Sequence, residues 1–243
     1  MGDVSRGVML DQSPIFLGGQ GGLVGPVMLE YGTVVAAGTI VRKDILKKNR
    51  MLLGHTSFAK TIPFHMDLYS NLKRIIKLNT IYISNLISLR RWYLDVRSKF
   101  MGSNRMESAL HKGAVEKIEM AIEERLKRLG EVAARMPVSI EIYQKSSGIL
   151  SEKIILKKKE FHERWQEIEQ AFKECYDMTG DPLDRDGFLE VIERSADRSN
   201  SDYIAAIKNL NEKESGMGVA WLQGIIDEIK RKAWSLLPSL ELQ

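Results

Sequence analysis

IFLGGQGGLVGPVMLEYGTVVAAGTIVRKD, residues 15–44, places an aliphatic side chain at every sixth position: Leu17, Leu23, Leu29, Val35 and Val41. Neither regular element has that period, since a strand alternates every two residues and a helix repeats about every 3.6. A six-residue period marks a parallel β-helix, in which each hexad forms one flat side of a coil and the next begins at a corner. Three hexads make a triangular coil, so five make fewer than two. On this reading each aliphatic residue points into the coil axis. Gly21, Val27, Thr33 and Thr39, four places further on, are small or β-branched and suit stacking near a corner. The competing reading is a glycine-rich loop followed by one strand, Thr33 to Val41. GGQGG is not a dinucleotide fingerprint, because it lacks the G-x-G-x-x-G spacing between a strand and a helix.

A solenoid needs several repeats before it buries a continuous core, and its ends need capping. The N-terminal side of this ladder is therefore expected to be an open edge that pairs with something else. Either further coils precede Met1, or the first residues and the helices cover the edge.

GGLVGPVMLEYGTVVAAGTIVRKD resembles the last coils of the left-handed β-helix (hexapeptide-repeat) transferases, and most of all the UDP-N-acetylglucosamine pyrophosphorylase-related branch. The resemblance runs from about Ile15 to Asp44 and rests on the hexad phase, the Gly25-Pro26 corner and the AAGT step at 36–39. It implies a nucleotidyltransferase or acyltransferase ancestry, with acetyl-CoA lying along the outside of the coils. Carried over by position, Ala37 matches an alanine that contacts the CoA. Gly19 falls where the family often has a serine that contacts the acetyl donor. The catalytic histidine, the sugar-phosphate lysines and arginines, and the nucleotide loop of that family have no counterpart in this sequence. The resemblance therefore implies a fragment or remnant of a nucleotide-sugar transferase that is not catalytically competent alone. The alternatives are a non-enzymatic oligomerisation module and an acetyl-CoA-dependent acyltransferase.

The chain has 243 residues, 44% of them hydrophobic, and a net charge of +4. That is ample for one or two folded units. A single cysteine, Cys175, excludes an intramolecular disulfide and fits a reducing compartment. No apolar run reaches the length of a membrane span, and no signal pattern opens the chain. Arg6 occupies the position where a myristoylation signal needs Ser or Thr. These features predict a cytoplasmic protein.

Past the ladder, assigned to residues 1–46, a basic connector fills 47–62 and an α-helical bundle 63–243. The fold class expected is mainly α with a short N-terminal left-handed β-helix. Helical spacing predicts one long helix opening at Pro63 and ending before Gly102. A second is predicted over 106–135, stopped by Pro137, and a third over 149–178. GDPLDRDG, 180–187, reads as a turn cluster before a short helix at 187–197. SNSD at 199–202 starts another helix, and Gly216 and Gly218 bend the chain before a last one. Short connections between helices point to an antiparallel bundle.

Between Ser57 and Arg105 stand nine Lys or Arg and two Asp or Glu. Such a helix, 63–101, fits a phosphorylated ligand or an acidic partner. The better reading is a solvated face whose aromatics are core, or a face paired with the acidic helix at 116–131. RRWYLDVR, 90–97, mixes arginines with aromatics as nucleic-acid surfaces do, but no nucleic-acid motif accompanies it. Asp184, Asp186, Gly187 and Glu193 partly match a calcium loop whose first ligand position is Pro182, which cannot coordinate; a helix-capping aspartate is the better reading. His55, His65, His111 and His162 show no metal or triad spacing, and Cys175 reads as a small buried hydrophobe.

Overall fold

The computed structural model describes residues 2–54, 65, 67–101, 105–146 and 151–242. The chain is mainly α, with 65% helix and 5% strand. Five two-residue strands lie in the N-terminal part: β1 (Phe16–Leu17), β2 (Gly22–Leu23), β3 (Val34–Val35), β4 (Ile40–Val41) and β5 (Met51–Leu52). They form two small parallel sheets, ordered β1-β3-β5 and β2-β4, and do not close into a β-helix.

Register explains the hexads. Phe16 lies opposite Val34 and Gly22 opposite Ile40, in each case three hexads apart. An isolated parallel bridge joins Leu29 to Ile45. There the phase has slipped: Leu29 to Ile45 is two residues short of three hexads, and Val34 opposite Met51 is one short. Pairing nonetheless continues to Leu52, past the expected end of the ladder at residue 46.

Leu29, Val35 and Val41 are buried, with Ile15, Val27, Ile45 and Leu52 packed on them. The expectation that all five hexad aliphatics point into an enclosed axis fails at the first two. Leu17 and Leu23 are 40% and 41% exposed, because they belong to the outermost turn of the ladder and no further strand covers them.

The N-terminal residues join the bundle. Asp3 caps the short helix α1 (Val4–Gly7), accepting from the Arg6 amide. Helix α1 packs on two later helices, α2 (Leu72–Asp95) and α9 (Glu212–Ser235). The Val4 amide donates to Asn85 Oδ1 at 2.8 Å and Ser5 Oγ lies 3.0 Å from Gln223 Oε1. The ladder is held to the same helix by Arg74, which donates to both Asp44 carboxylate oxygens at 2.7 Å and to the Pro26 carbonyl at 3.0 Å. Hydrogen bonding from this guanidinium holds the Asp44 carboxyl below the usual range.

Several predicted helix boundaries shift. The long helix begins at Leu72, where Asn71 accepts from the Arg74 amide, and gives way at Asp95 to a 3-10 turn, Arg97–Phe100; Pro63, its predicted start, lies outside the described residues. Helix α3 spans Arg105–Ala134. Pro137 does not end the region: it stands in the first turn of α4 (Met136–Ser146), where a missing N–H costs no hydrogen bond. The third predicted helix is two, α5 (Glu152–Glu163) and α6 (Trp165–Cys175), broken at Arg164, whose guanidinium bonds the Leu236 carbonyl at 3.1 Å.

The supposed turn cluster at 180–187 is mostly the start of α7 (Pro182–Arg198). Asp181 caps it by accepting from the Leu183 and Asp184 amides, and Pro182 is pre-set for the first helical position. After α8 (Tyr203–Lys208), capped by Asp202, α9 runs unbroken from a capping box made by Asn211 and Glu214. The predicted bend at Gly216 and Gly218 is absent, because the helix is held by its cap and by packing of its apolar face.

Helix α9 packs against α1, α2, α6 and α7, and α2 also packs against α3. Trp221, Leu222, Ile225, Ile226 and Ile229 are its buried face. Trp92, Phe188 and Trp221 form a chain of tilted rings with centroids 5.9 and 6.0 Å apart. Gly218 admits this aromatic core: a Cβ there would lie 2.5 Å from both Phe188 and Met9. Gly216 faces open space on the same helix. Gly216→Ala is therefore expected to stabilise by up to about 1 kcal/mol through helix propensity, and Gly218→Ala to destabilise by about 1–3 kcal/mol through overpacking. Urea unfolding of the two variants beside the parent checks the opposite signs.

Candidate functional site

The outermost turn of the ladder has an uneven finish. The Phe16 amide donates to Thr33 O at 2.9 Å and the Gly18 amide to Val35 O at 2.7 Å. In a parallel ladder the intervening residue faces the other way, so Leu17 turns its N–H and C=O outward. Leu23 does the same between Gly22, which donates to Thr39 O at 3.2 Å, and Val24, which donates to Val41 O at 2.8 Å. Leu29 is the equivalent residue on the third side, but its carbonyl accepts the Gly2 amide at 2.7 Å and its side chain is 2% exposed. One side of the end is thus covered by the N-terminal segment. Among the described residues β1 and β2 have a strand on one side only. Phe16 and Met51 add exposed apolar surface on the outer face of their sheet.

Gly2 makes the covered side possible. Its φ is +62°, and a Cβ would come within 2.6 Å of the Tyr31 ring. Tyr31 in turn accepts the Asp3 amide at 3.1 Å and donates to the Asp3 carbonyl at 2.5 Å. Arg6 then bridges Asp3 and Glu30.

The two residues singled out for acetyl-CoA come together. Gly19 and Ala37 occupy neighbouring turns at one corner, joined by the Gly38 amide, which donates to Gly19 O at 2.9 Å. Both are exposed. The stacking is tight one residue earlier, where a Cβ on Gly18 would lie 2.4 Å from the Ala37 nitrogen.

Most of the other sequence candidates resolve into packing. Trp92 of RRWYLDVR is buried, its indole N–H donating to Tyr203 Oη at 3.1 Å. Arg90 pairs with Glu119 on the acidic helix and with Asp177, Arg91 with Asp95, and Lys99 with Glu193. His111 contacts the Tyr93 carbonyl and His162 the Ala133 carbonyl, each at 2.9 Å. His65 is exposed, and His55 lies outside the described residues. Cys175 is buried, and burial pushes its thiol up from the ordinary value. Among the described residues no three His, Cys, Asp or Glu side chains gather as a metal centre.

One chemically notable pair escaped the sequence reading. Lys158 on α5 places Nζ 2.9 Å from Ser139 Oγ and 3.2 Å from the Ser139 carbonyl. Both residues are buried, at 1% and 0% exposure. A lysine beside a serine can act as its general base. Here the serine is sealed: its Oγ also accepts the Tyr69 amide at 3.0 Å, so a substrate carbonyl has no approach. Lys158 lies within the lysine run 157–159, yet it stands one helical turn after Ile154 and one before Phe161, on the apolar stripe.

No family model, no curated protein and no solved structure matches this chain.

Burial pushes the Lys158 ammonium below its ordinary 10.5. The unfolded chain therefore holds this proton more tightly than the folded one. The cost of burying the charge is fully present below the folded value, falls as pH rises through it, and disappears above the unfolded one. Lys158→Met is expected to stabilise the protein by about 1–3 kcal/mol at neutral pH, with the gain shrinking as pH rises from neutral toward the ordinary 10.5. Urea unfolding of parent and variant across that range is the check, and a gain that grows with pH would contradict the burial argument.

Proposed function

We propose that this chain is catalytically silent by itself and works by association, contributing the end of a parallel β ladder to an assembly of nucleotide-sugar or acyl-transfer type. The observation that carries the reading is the open finish at Leu17 and Leu23, beside the covered finish at Leu29. Two edge strands present unpaired backbone groups together with partly exposed leucines, which is the surface to which another strand adds. A second copy of this chain supplies the same strands, and two-fold pairing of identical edges gives a closed dimer. The hexad spacing, with its resemblance to the hexapeptide-repeat transferases, supports the transferase context. The titratable groups that meet at the ladder, Asp3, Arg6 and Glu30, are engaged with one another, which supports silence. Gly19 and Ala37, exposed at one corner, favour acetyl-CoA binding as the second reading.

Sedimentation of the purified chain is expected to show reversible, concentration-dependent dimerisation. Leu17→Lys with Leu23→Lys should leave it monomeric with an unchanged far-ultraviolet spectrum, because both side chains are already partly in water and added charge blocks edge pairing. A compact monomer at the highest concentration reached would overturn the association. Turnover of UTP with a sugar phosphate, or of acetyl-CoA with an amino sugar, would overturn the silence.

A further inference from the structure

Where the ladder leans on α2 it leaves a groove of about 610 Å³. Ligand sites span about 300–1,000 Å³, so the groove has the size of a small-molecule site rather than of a packing defect. The walls are apolar: Leu23, Pro26 and Val27 on the ladder, and Leu78, Tyr82 and Leu86 on the helix. Tyr82 is 45% exposed. A lipophilic guest would remove this surface from water, at about 25 cal/mol per Å² covered.

The polar groups at the groove fix what kind of guest it takes. Asn85 is committed on both sides, accepting from the Val4 amide and donating to the Ile81 carbonyl at 2.9 Å. Asn79 donates to the Ile75 carbonyl at 2.7 Å. The Asp3 carboxylate is turned toward Arg6 and Ser5. Arg125 remains. Its guanidinium lies 4.9 Å from the Tyr82 ring centroid and reaches Asn79 Oδ1 only at 3.5 Å. Among the described residues it has no carboxylate within ion-pair distance, unlike Arg74 and Arg128 nearby in sequence on the same two helices. Arginine offers five donors in a planar fork that matches a carboxylate, and no acceptor. Stacking on Tyr82 holds that fork at the mouth of the groove.

We propose that this groove binds a small amphiphilic carboxylate, with an aliphatic chain along Leu23, Val27, Leu78 and Leu86 and its head group on Arg125. The ligand would bridge ladder and bundle at the junction that Arg74 closes further along. The groove shares Leu23 with the proposed association edge, but its head-group residues Arg125 and Tyr82 stand on α3 and α2, so the Arg125 variant tests the groove without altering β1 or β2.

Titration calorimetry with decanoate below its micellar concentration tests this, with decanol and decylamine as neutral and cationic counterparts. Decanoate is expected to bind, decanol more weakly, and decylamine not at all. Arg125→Gln should weaken decanoate by roughly tenfold to a hundredfold, the range for losing a charged hydrogen bond, and leave decanol unchanged. Arg125 is exposed, so the variant should melt like the parent, and its sedimentation should match the parent's whether or not the chain dimerises. No heat with decanoate, equal binding of the three compounds, or undiminished decanoate binding by Arg125→Gln would each overturn the proposal.

Discussion

Arg74 is the fastening on which the arrangement depends. Standing in the first turn of α2, it grips Asp44 with two hydrogen bonds and the Pro26 carbonyl with a third. The ladder itself is small. Its enclosed core is Leu29, Val35 and Val41, and fully burying such a side chain contributes only about 1.5–3 kcal/mol. That is little against the ordering of some fifty residues, each costing about 1–2 kcal/mol of backbone entropy. The ladder therefore borrows order from the bundle, through Arg74 on one side and through α1 with Gly2 and Tyr31 on the other. The groove exists because these two attachments are separated, leaving α2 uncovered between them.

How much of this could be read from the letters differed between the two parts. The hexad spacing foretold the three-hexad parallel register at Phe16–Val34 and Gly22–Ile40, because side-chain phase in a stacked turn is a local property. It did not foretell the slip after Val41, which depends on how short the corner before Ile45 is. In the bundle the apolar stripes located the helices, but the boundaries followed capping chemistry that a stripe does not record. Asn71 and Asp181 start their helices at places where the pattern alone runs on or stays silent. Pro137 and Gly218 misled for the same reason. Each is a helix breaker by propensity, and each is used where its defect costs little or where its missing side chain makes room.

The site residues were legible to an unequal degree. Gly19 and Ala37 were named through the resemblance alone, and they lie on neighbouring turns at one corner. Lys158 could have been found by noticing its place on the apolar stripe between Ile154 and Phe161. Arg125 could not: it occupies an ordinary helical surface position, and its distinction is the lack of a carboxylate partner among the described residues, a fact of three-dimensional arrangement. Part of the basic excess of the 57–105 segment is taken up by specific partners, with Arg90 bound to Glu119 and Asp177 and Lys99 to Glu193.

The amide of Gly2 on the Leu29 carbonyl has a consequence for growth. A triangular ladder with all three sides free could accept turn after turn and lengthen into a fibre, as open sheet edges do when nothing stops them. Here one side in three is already taken from within the molecule, by a glycine that no larger residue could replace without striking Tyr31. An incoming turn can match two sides and must stop or detour at the third. Under the proposed association, the N-terminal strap would act as a chain terminator, since it leaves two sides open and withholds the third.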